Sequence, residues 1–381
     1  MIDVLFAGDF SPCRNFESIA LVKKTDILGD ARSLIQQADI SFTNLECPLT
    51  NHNTAINKSG PALKADPLCI EALKDFSVIG LANNHILDYG KKGLEDTMKA
   101  CEYAGLSTVG AGINLQTAQV PFIREVQGVK IAIIAVAEYE FNLSENGGAG
   151  CAPIDVIENY QQIKKAQQQA DIVIVTMHGG NEYFPYPRPG LRKLCKHYID
   201  LGVEAVICHH PHVPGAYEYY QDKPIIYSLG NLIFDTKKPP KNWEKGYMAN
   251  LQFDPETKNF KSLTLIPYKQ TIELGGVKLL QGDEKIDLLE KIKGYKDKLK
   301  NNQVWLNEWQ EFVNEQADNY VMLNFSPVVF RGLGLLARNT PIVKLFFNKR
   351  NSLSKLNMLR CQSHRELLTA ALESKSEFRN D

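Results

Sequence analysis

Apolar residues in the first 210 positions come in short continuous runs, at 4–7, 40–43, 78–82, 131–137, 172–176 and 205–208, and each run stops at a small polar cluster. Continuous runs of about four to eight residues rich in Val and Ile are what strands buried on both faces look like. Between them lie stretches with helical periodicity, at 17–37, 67–75, 92–104, 157–169 and 189–201. Two of these stop at Gly105 and Gly202, as a helix C-terminus does where positive φ is needed. Strand and helix alternate, which predicts an α/β layered fold.

The pattern changes after Tyr219. Lys223-Pro224 turns into 225–231, and the stretches 247–253 and 261–267 alternate apolar and polar positions as half-exposed antiparallel strands do. A second sheet stacked on the first gives a four-layer α/β/β/α sandwich. From Asp283 the chain reads as charged helix, with Leu288, Leu289, Ile292, Tyr295 and Leu299 on one face. Trp305 and Trp309, four apart, continue that stripe as packing residues. The expected organisation is a domain over 1–275 and a helical extension over 276–381, with the polar residues 372–381 frayed.

Composition narrows the function. Lys plus Arg (43) and Asp plus Glu (44) nearly cancel, leaving a net charge of -1 and no basic field to attract nucleic-acid phosphates. Eight cysteines are scattered without a C-x-x-C pair, as free thiols in a reducing compartment are. Met1-Ile2-Asp3 leads directly into the first strand, leaving no room for a signal peptide. No apolar stretch is long enough to span a bilayer. The nearest, 321–347, is interrupted by Arg331, Arg338 and Lys344 and reads as packed amphipathic helices. The expectation is a cytoplasmic protein, with peripheral contact to a membrane or a synthase complex as the alternative. Phosphate-binding loops and the G-x-S-x-G elbow are absent, which disfavours nucleotide-driven ligation and serine hydrolysis.

The polar clusters carry the chemistry. In open α/β sheets ligands bind beyond the carboxyl ends of the strands, so clusters that follow successive strands converge. Asp9, Glu46, Asn84, His178, His210 and His212 form a mixed oxygen and imidazole set. Such a set suits a divalent transition metal (Mn, Fe or Zn) rather than calcium, which prefers oxygen alone. It exceeds what one tetrahedral zinc takes, and two ions sharing a carboxylate would use it all. A two-metal centre stabilises both the attacking and the leaving oxygen of an in-line displacement, so hydrolysis of a phosphate ester, or of an amide, is the expected reaction. His85, next to Asn84, is the candidate general acid, and Asp88 can fix its tautomer. Asn44, Glu182 and Asn231 are candidates for substrate binding, and Lys64 and Arg188 for contact with an anionic substrate group. His52, His197 and His364 have no ligand neighbours in sequence and read as structural or surface residues.

Gly8-Asp9, Asn44-Leu45-Glu46, Asn83-Asn84-His85, His178-Gly179-Gly180 and His209-His210-Pro211-His212 resemble, in order and spacing, the CapA-like capsule or poly-gamma-glutamate synthesis family. That family is similar to the calcineurin-like metallophosphoesterases. The resemblance covers roughly 1–270, including Ala82 to Gly90 and Tyr227 to Phe234. It implies the four-layer sandwich, with Asp9 on a first metal and Glu46 bridging. It also implies Asn84, His178 and His210 on a second metal, and His212 returning to the first. An anionic polymer or phosphoester would be the substrate. The chain departs from the phosphoesterase pattern where G-D-x-H becomes Gly8-Asp9-Phe10-Ser11 and where Glu46 replaces a bridging Asp, both of which weaken the first site. Gly179 stands where a Trp is common, and the N-terminal membrane anchor of many members has no counterpart. Two rival readings follow: a non-catalytic accessory subunit of a polymer synthase, and a mononuclear amidohydrolase.

Overall fold

A computed structural model describes residues 1–58, 60–144, 147–325 and 349–377. The larger sheet sets β1 (Ile2–Ser11), β2 (Ile40–Leu45), β3 (Val78–Gly80) and β4 (Ser107–Val109) side by side in parallel. A short pair, β5 (Ala111–Gly112) with β8 (Gly150–Cys151), stands apart. The second sheet has β7 (Val129–Ala137), β9 (Ile172–His178), β10 (Ala205–His209) and β12 (Lys223–Ile226) in parallel, flanked by antiparallel β6 (Phe122–Val126) and β11 (Tyr217–Tyr220). β13 (Asn231–Phe234) runs parallel to β1, and β14 (Lys245–Phe253), β15 (Phe260–Thr271) and β16 (Gly276–Leu279) extend the larger sheet antiparallel.

Strand periodicity sorts the layers. Along β9, Ile172 and Ile174 join the core shared with the larger sheet, whereas Val173, Val175 and Met177 join a second core on the opposite face. β7 and β10 divide in the same way, with Ile131, Ile133, Ala205 and Ile207 inward and Ile134, Val136, Val206 and Cys208 outward. The larger sheet is covered by α1 (Asn15–Lys23), α2 (Ala31–Gln37) and α3 (Gly90–Tyr103). A single turn, α4 (Leu115–Ala118), precedes β6. The second sheet is covered by α5 (Val156–Gln167) and α6 (Pro189–Asp200). The four-layer α/β/β/α arrangement expected from the sequence is the one observed.

Three details differ from the sequence expectation. The apolar runs divide three and three between two sheets, so the second sheet is built over 122–226, and the alternating stretches after Tyr219 extend the larger sheet instead. The stretch 225–231 is two strands in different sheets, broken at Gly230 (φ 76°), where the chain crosses between them. The stretch 17–37 is α1, a 3₁₀ turn (Lys24–Leu28) and α2, interrupted at Lys24 (φ 50°) and Gly29 (φ 51°). A Cβ at Gly29 would lie 2.0 Å from the Val277 carbonyl oxygen, so the approach of β16 overrides local helix propensity there.

The C-terminal helices α7 (Gly282–Leu299), α8 (Asn302–Phe325), α9 (Lys349–Arg360) and α10 (Gln362–Glu377) follow. Trp305, Trp309, Val313, Leu367 and Ala371 complete the outer core of the second sheet. The backbone of α10 thus continues into the stretch expected to fray, while 321–347 lies, beyond Phe325, outside the described residues. No helix among the described residues is long and apolar enough to cross a membrane.

Arg192 of α6 ties this layer together. Its guanidinium donates to both carboxylate oxygens of Glu218 (2.8 and 2.7 Å) and to the Leu299 carbonyl (2.8 Å), and it lies 4.4 Å from the centre of the Trp305 ring. Burial pushes the Glu218 carboxyl up, but hydrogen bonds from Arg192 and Tyr227 outweigh it and hold it below its ordinary 4.5. A depressed carboxyl contributes stability that is present above its unfolded value and lost as the pH falls through the folded one. Glu218→Gln is therefore expected to cost about 3 kcal/mol at pH 7. In urea melts the difference from wild type should shrink as the pH drops below about 4.5; a difference independent of pH would refute the assignment.

Candidate metal centre and active site

Parallel pairing places the polar clusters in two facing rows. In the larger sheet Asp9 is in register with Asn44 on one side and Asn231 on the other. In the second sheet His178 is in register with His209 and with Ala137, the residue before Glu138. The strand at Asp9 is irregular, its register shifting on both sides. Gly8 permits this: a Cβ there would lie 2.1 Å from the Gly230 carbonyl oxygen, the atom that accepts from Asp9 N–H at 3.1 Å. His210 (φ 99°) and His212 (φ 60°) occupy the sparsely populated positive-φ region. Such positions cost about 1–3 kcal/mol each and cluster at functional sites.

Asp9 and Glu46 are both buried, yet their surroundings are opposite. Asp9 accepts from Asn44 Nδ2 (2.7 Å) and the His210 backbone N–H (3.1 Å) and lies 3.1 Å from His209 Nδ1. Burial would raise its carboxyl, but His209, His178 and His212 hold it well below the usual range. Glu46 is fully buried, and neither of its oxygens has a hydrogen-bond partner. Burial and the neighbouring Asp9 push it well above the usual range. The nearest nitrogens, His212 Nε2 at 3.4 Å and His178 Nε2 at 3.6 Å, are too distant to satisfy it.

These separations match two ligands about 2.0–2.1 Å from one tetrahedral ion, which stand roughly 3.3 Å apart. The ligand atoms of Asp9, Glu46 and His178 lie within 4.8 Å of one another, as do those of Glu46, His210 and His212, so Glu46 belongs to both groups. These groups pair the histidines otherwise than the family resemblance implies, setting His178 with Asp9 and His210 with His212. The His178 and His210 ring centres are 5.0 Å apart, and His212 Nδ1, 3.7 Å from Asp9 Oδ2, is hydrogen-bonded to Asn231. Asn84 Oδ1 is 3.1 Å from His178 Nε2. Burial pushes His178 well below its ordinary value and His210 down to about 3, which leaves both imidazoles neutral, the form that ligates a cation. An orphaned carboxylate facing neutral imidazoles fits a divalent ion.

Beside this set, His85 Nδ1 is 2.6 Å from Asp88 Oδ2, leaving Nε2 as its other ring nitrogen. Asp88 also accepts from Lys58 Nζ (2.6 Å) and Leu63 N–H (2.7 Å). Lys58 Nζ donates in addition to the Asn84 carbonyl (3.2 Å). Burial and the Lys58 charge push His85 down, against the pull of Asp88. The Asp88 carboxyl, raised by burial, is held below its usual range by His85 and Lys58.

A cavity of about 390 Å³ opens onto His85, Asn84, His212 and Glu182, with Trp243 and Met358 in its walls. Glu182 lines the cavity, whereas Asn44 and Asn231 are buried behind the histidines. Asn44 Nδ2 also approaches His178 Nδ1 (3.2 Å), and Asn231 Oδ1 is 2.9 Å from His212 Nδ1. Asn231 orients the His212 ring and Asn44 the Asp9 carboxylate, and neither lines the cavity. Arg188 is buried in ion pairs with Glu138 (2.6 Å) and Glu366 (3.0 Å), and Lys64 donates to the His52 carbonyl. Neither faces the cavity. A Cβ at Gly179 would lie 2.5 Å from Glu138 Oε1, so the missing side chain makes room for that ion pair.

Sequence reasoning missed Lys58, which sits in a loop without periodicity, and Glu140, Trp243 and His364, which enter from outside the strand-end clusters. The C-x-x-H spacing of Cys361 and His364 was a readable sign for the last.

The model of the bacterial capsule synthesis protein PGA_cap family matches residues 3–236, and the chain belongs to that family. It is 37% identical to the capsule biosynthesis protein CapA of Bacillus anthracis, over 61% of this chain and 60% of that protein. It is 32% identical to the PGA biosynthesis protein CapA of Bacillus subtilis, over 62% of this chain and 64% of that protein. The chain thus spans about three fifths of the length of these curated relatives. A probable polyglutamine synthesis accessory protein of Mycobacterium tuberculosis is 28% identical over 63% of this chain and 69% of its own length. Among solved structures, the calcineurin-like phosphoesterase YfkN of Bacillus subtilis is similar with a TM-score of 0.42 and 12% identity, covering 77% of this chain and 96% of that one.

If Glu46 is a cation ligand, Glu46→Gln trades function for stability. The metal-free variant is expected to be more stable than metal-free wild type at neutral pH, because the amide avoids the cost of a carboxyl held well above its usual range, and the difference should vanish below about pH 4.5. It should lose the rise in melting temperature that added Mn²⁺ or Zn²⁺ gives wild type. Calorimetry of both proteins, chelator-treated and metal-loaded, checks both halves.

Proposed function

We propose that this protein is a binuclear metal-dependent hydrolase acting on an anionic phosphoester or γ-glutamyl polymer in capsule or poly-gamma-glutamate biosynthesis. The observation that carries the reading is Glu46, whose oxygens accept no hydrogen bond and which offers a ligand atom both to the group with Asp9 and His178 and to the group with His210 and His212. Divalent ions held by these residues and Asn84 would supply Lewis acidity and an activated water.

The chain's own residues supply the rest. In its protonated form His85 delivers the Nε2 proton to the leaving atom and is left neutral, with Nδ1–H donating to Asp88 throughout. Burial and the Lys58 charge hold its pKa below 6.5, so the rate is expected to fall as the pH rises through the folded value. Lys58 and the Leu63 N–H fix Asp88, so the imidazole keeps one orientation throughout. Asn231 accepts from His212 Nδ1–H and leaves Nε2 as the ligand atom, and Asn44 holds the Asp9 carboxylate. Glu182, exposed in the cavity wall, meets the substrate. The polymer itself is assigned from the capsule and PGA relatives.

One observation favours a second reading, a metal-stabilised accessory subunit. Ser11 is fully buried and donates to the Glu46 carbonyl (3.3 Å), so it offers the Asp9 side no further imidazole. Turnover separates the two. Metal-loaded protein is expected to hydrolyse bis-p-nitrophenyl phosphate or to shorten poly-γ-glutamate. His85→Ala should lower the rate by about 10²–10⁴-fold at unchanged metal content, and Asp88→Asn by about 10–100-fold. Equal rates in wild type and His85→Ala would remove His85 from the mechanism. No turnover of either substrate by protein carrying two ions would leave the accessory reading standing.

A further inference from the structure

Beside the Asp9 and Glu46 groups, across the small cavities that Glu140 shares with Asn84 and His210, a different set of side chains gathers ligand atoms. The donors of Glu140, Cys361 and His364 lie within 4.8 Å of one another. We propose that these three residues form a separate divalent-cation site of the zinc class, which pins the C-terminal helices to the segment following β7. The proposal goes beyond the hydrolase reading, since none of the three belongs to the centre on which that reading rests.

A thiolate, an imidazole and a carboxylate make a sulfur, nitrogen and oxygen set that zinc accepts and that calcium or magnesium does not favour. Cys361 Sγ stands 3.8 Å from Glu140 Oε1. Ligands at about 2.3 Å (sulfur) and 2.0–2.2 Å (oxygen) from a tetrahedral zinc are roughly 3.6 Å apart. Cys361 is fully buried and has no disulfide partner. It follows α9, with its N–H donating to the Asn357 carbonyl (2.8 Å), and His364 lies in the first turn of α10. The C-x-x-H spacing therefore puts both donors on one bend, while Glu140 arrives from 221 residues away. A cavity of about 190 Å³ lined by Glu140, Glu182, His210, Ser363 and His364 gives an ion a way in.

Binding replaces the thiol S–H bond with a sulfur–metal bond and releases the proton to solvent. Three protein ligands leave a fourth position for water or a substrate group. Asn357, Met358 and His364 line the larger cavity, so an ion here fixes that wall of the substrate pocket.

The full-length protein, stripped with chelator and reloaded with cobalt(II) as the sole metal, provides the test. Thiolate ligation gives a near-ultraviolet charge-transfer band that carboxylate and imidazole ligands do not produce. The band is expected in wild type and in Asp9→Ala, and its loss is expected in Cys361→Ser. His364→Ala leaves the buried thiol in place and should lose the band together with about one cobalt ion per chain, given one ion per three-ligand site. A wild-type spectrum without the band overturns the proposal whatever the variants do. Survival of the band in Cys361→Ser, its loss in Asp9→Ala, or an unchanged cobalt count in His364→Ala also overturns it. The hydrolase reading is untouched by these outcomes, because it is read by turnover.

Discussion

A strand that runs parallel to its neighbour must end at the same edge, and the site depends on that constraint. β1, β2 and β3 deliver Asp9, Asn44, Glu46, Asn84 and His85 to one edge of the larger sheet. β7, β9 and β10 deliver Glu138, His178 and the 209–212 histidines to the matching edge of the second. Because side chains alternate between two buried faces, a one-residue slip in any of these strands would move an apolar set out of its core. Packing of the two cores therefore holds the register, and the register holds the donors.

The electrostatics of that edge are unequal. Asp9 is surrounded by donors and stays ionised; Glu46, a few ångströms away, has none. A fold selected only for stability would not keep a fully buried carboxylate without partners, since the desolvation cost is not offset. The positive φ at His210 and His212 adds to that cost. Both features are intelligible if a cation supplies the missing interaction and the surrounding cores supply the stability that the site gives up.

The strand runs and the clusters after them were legible in the sequence because burial on two faces and the ligand chemistry both leave a local pattern. What was not legible came from long-range packing. The helix expected across 17–37 is broken because Val277 approaches Gly29, a contact from 248 positions downstream. The stretch 225–231 reads as one strand, yet it leaves one sheet for the other at Gly230. Lys58 carries no sequence signal at all, because its role comes from the loop that folds back over Asp88. Asn44 and Asn231 were recognised as site residues, but their position behind the rings depends on register, which composition does not reveal.

The division between what is shared with the family and what is not follows the same lines. The family match ends at residue 236, and every donor of the Asp9 and Glu46 groups lies within it. Trp243, Asn357, Met358 and His364 lie beyond it and complete one wall of the cavity around His85. The part of the chain matched by the family thus carries the ligand-type donors, while Trp243 and residues of the C-terminal helices add to the cavity wall. Those helices are joined to the second sheet through Arg192, Trp305 and the Arg188–Glu366 pair, so the pocket wall is anchored to the sheet that carries the histidines.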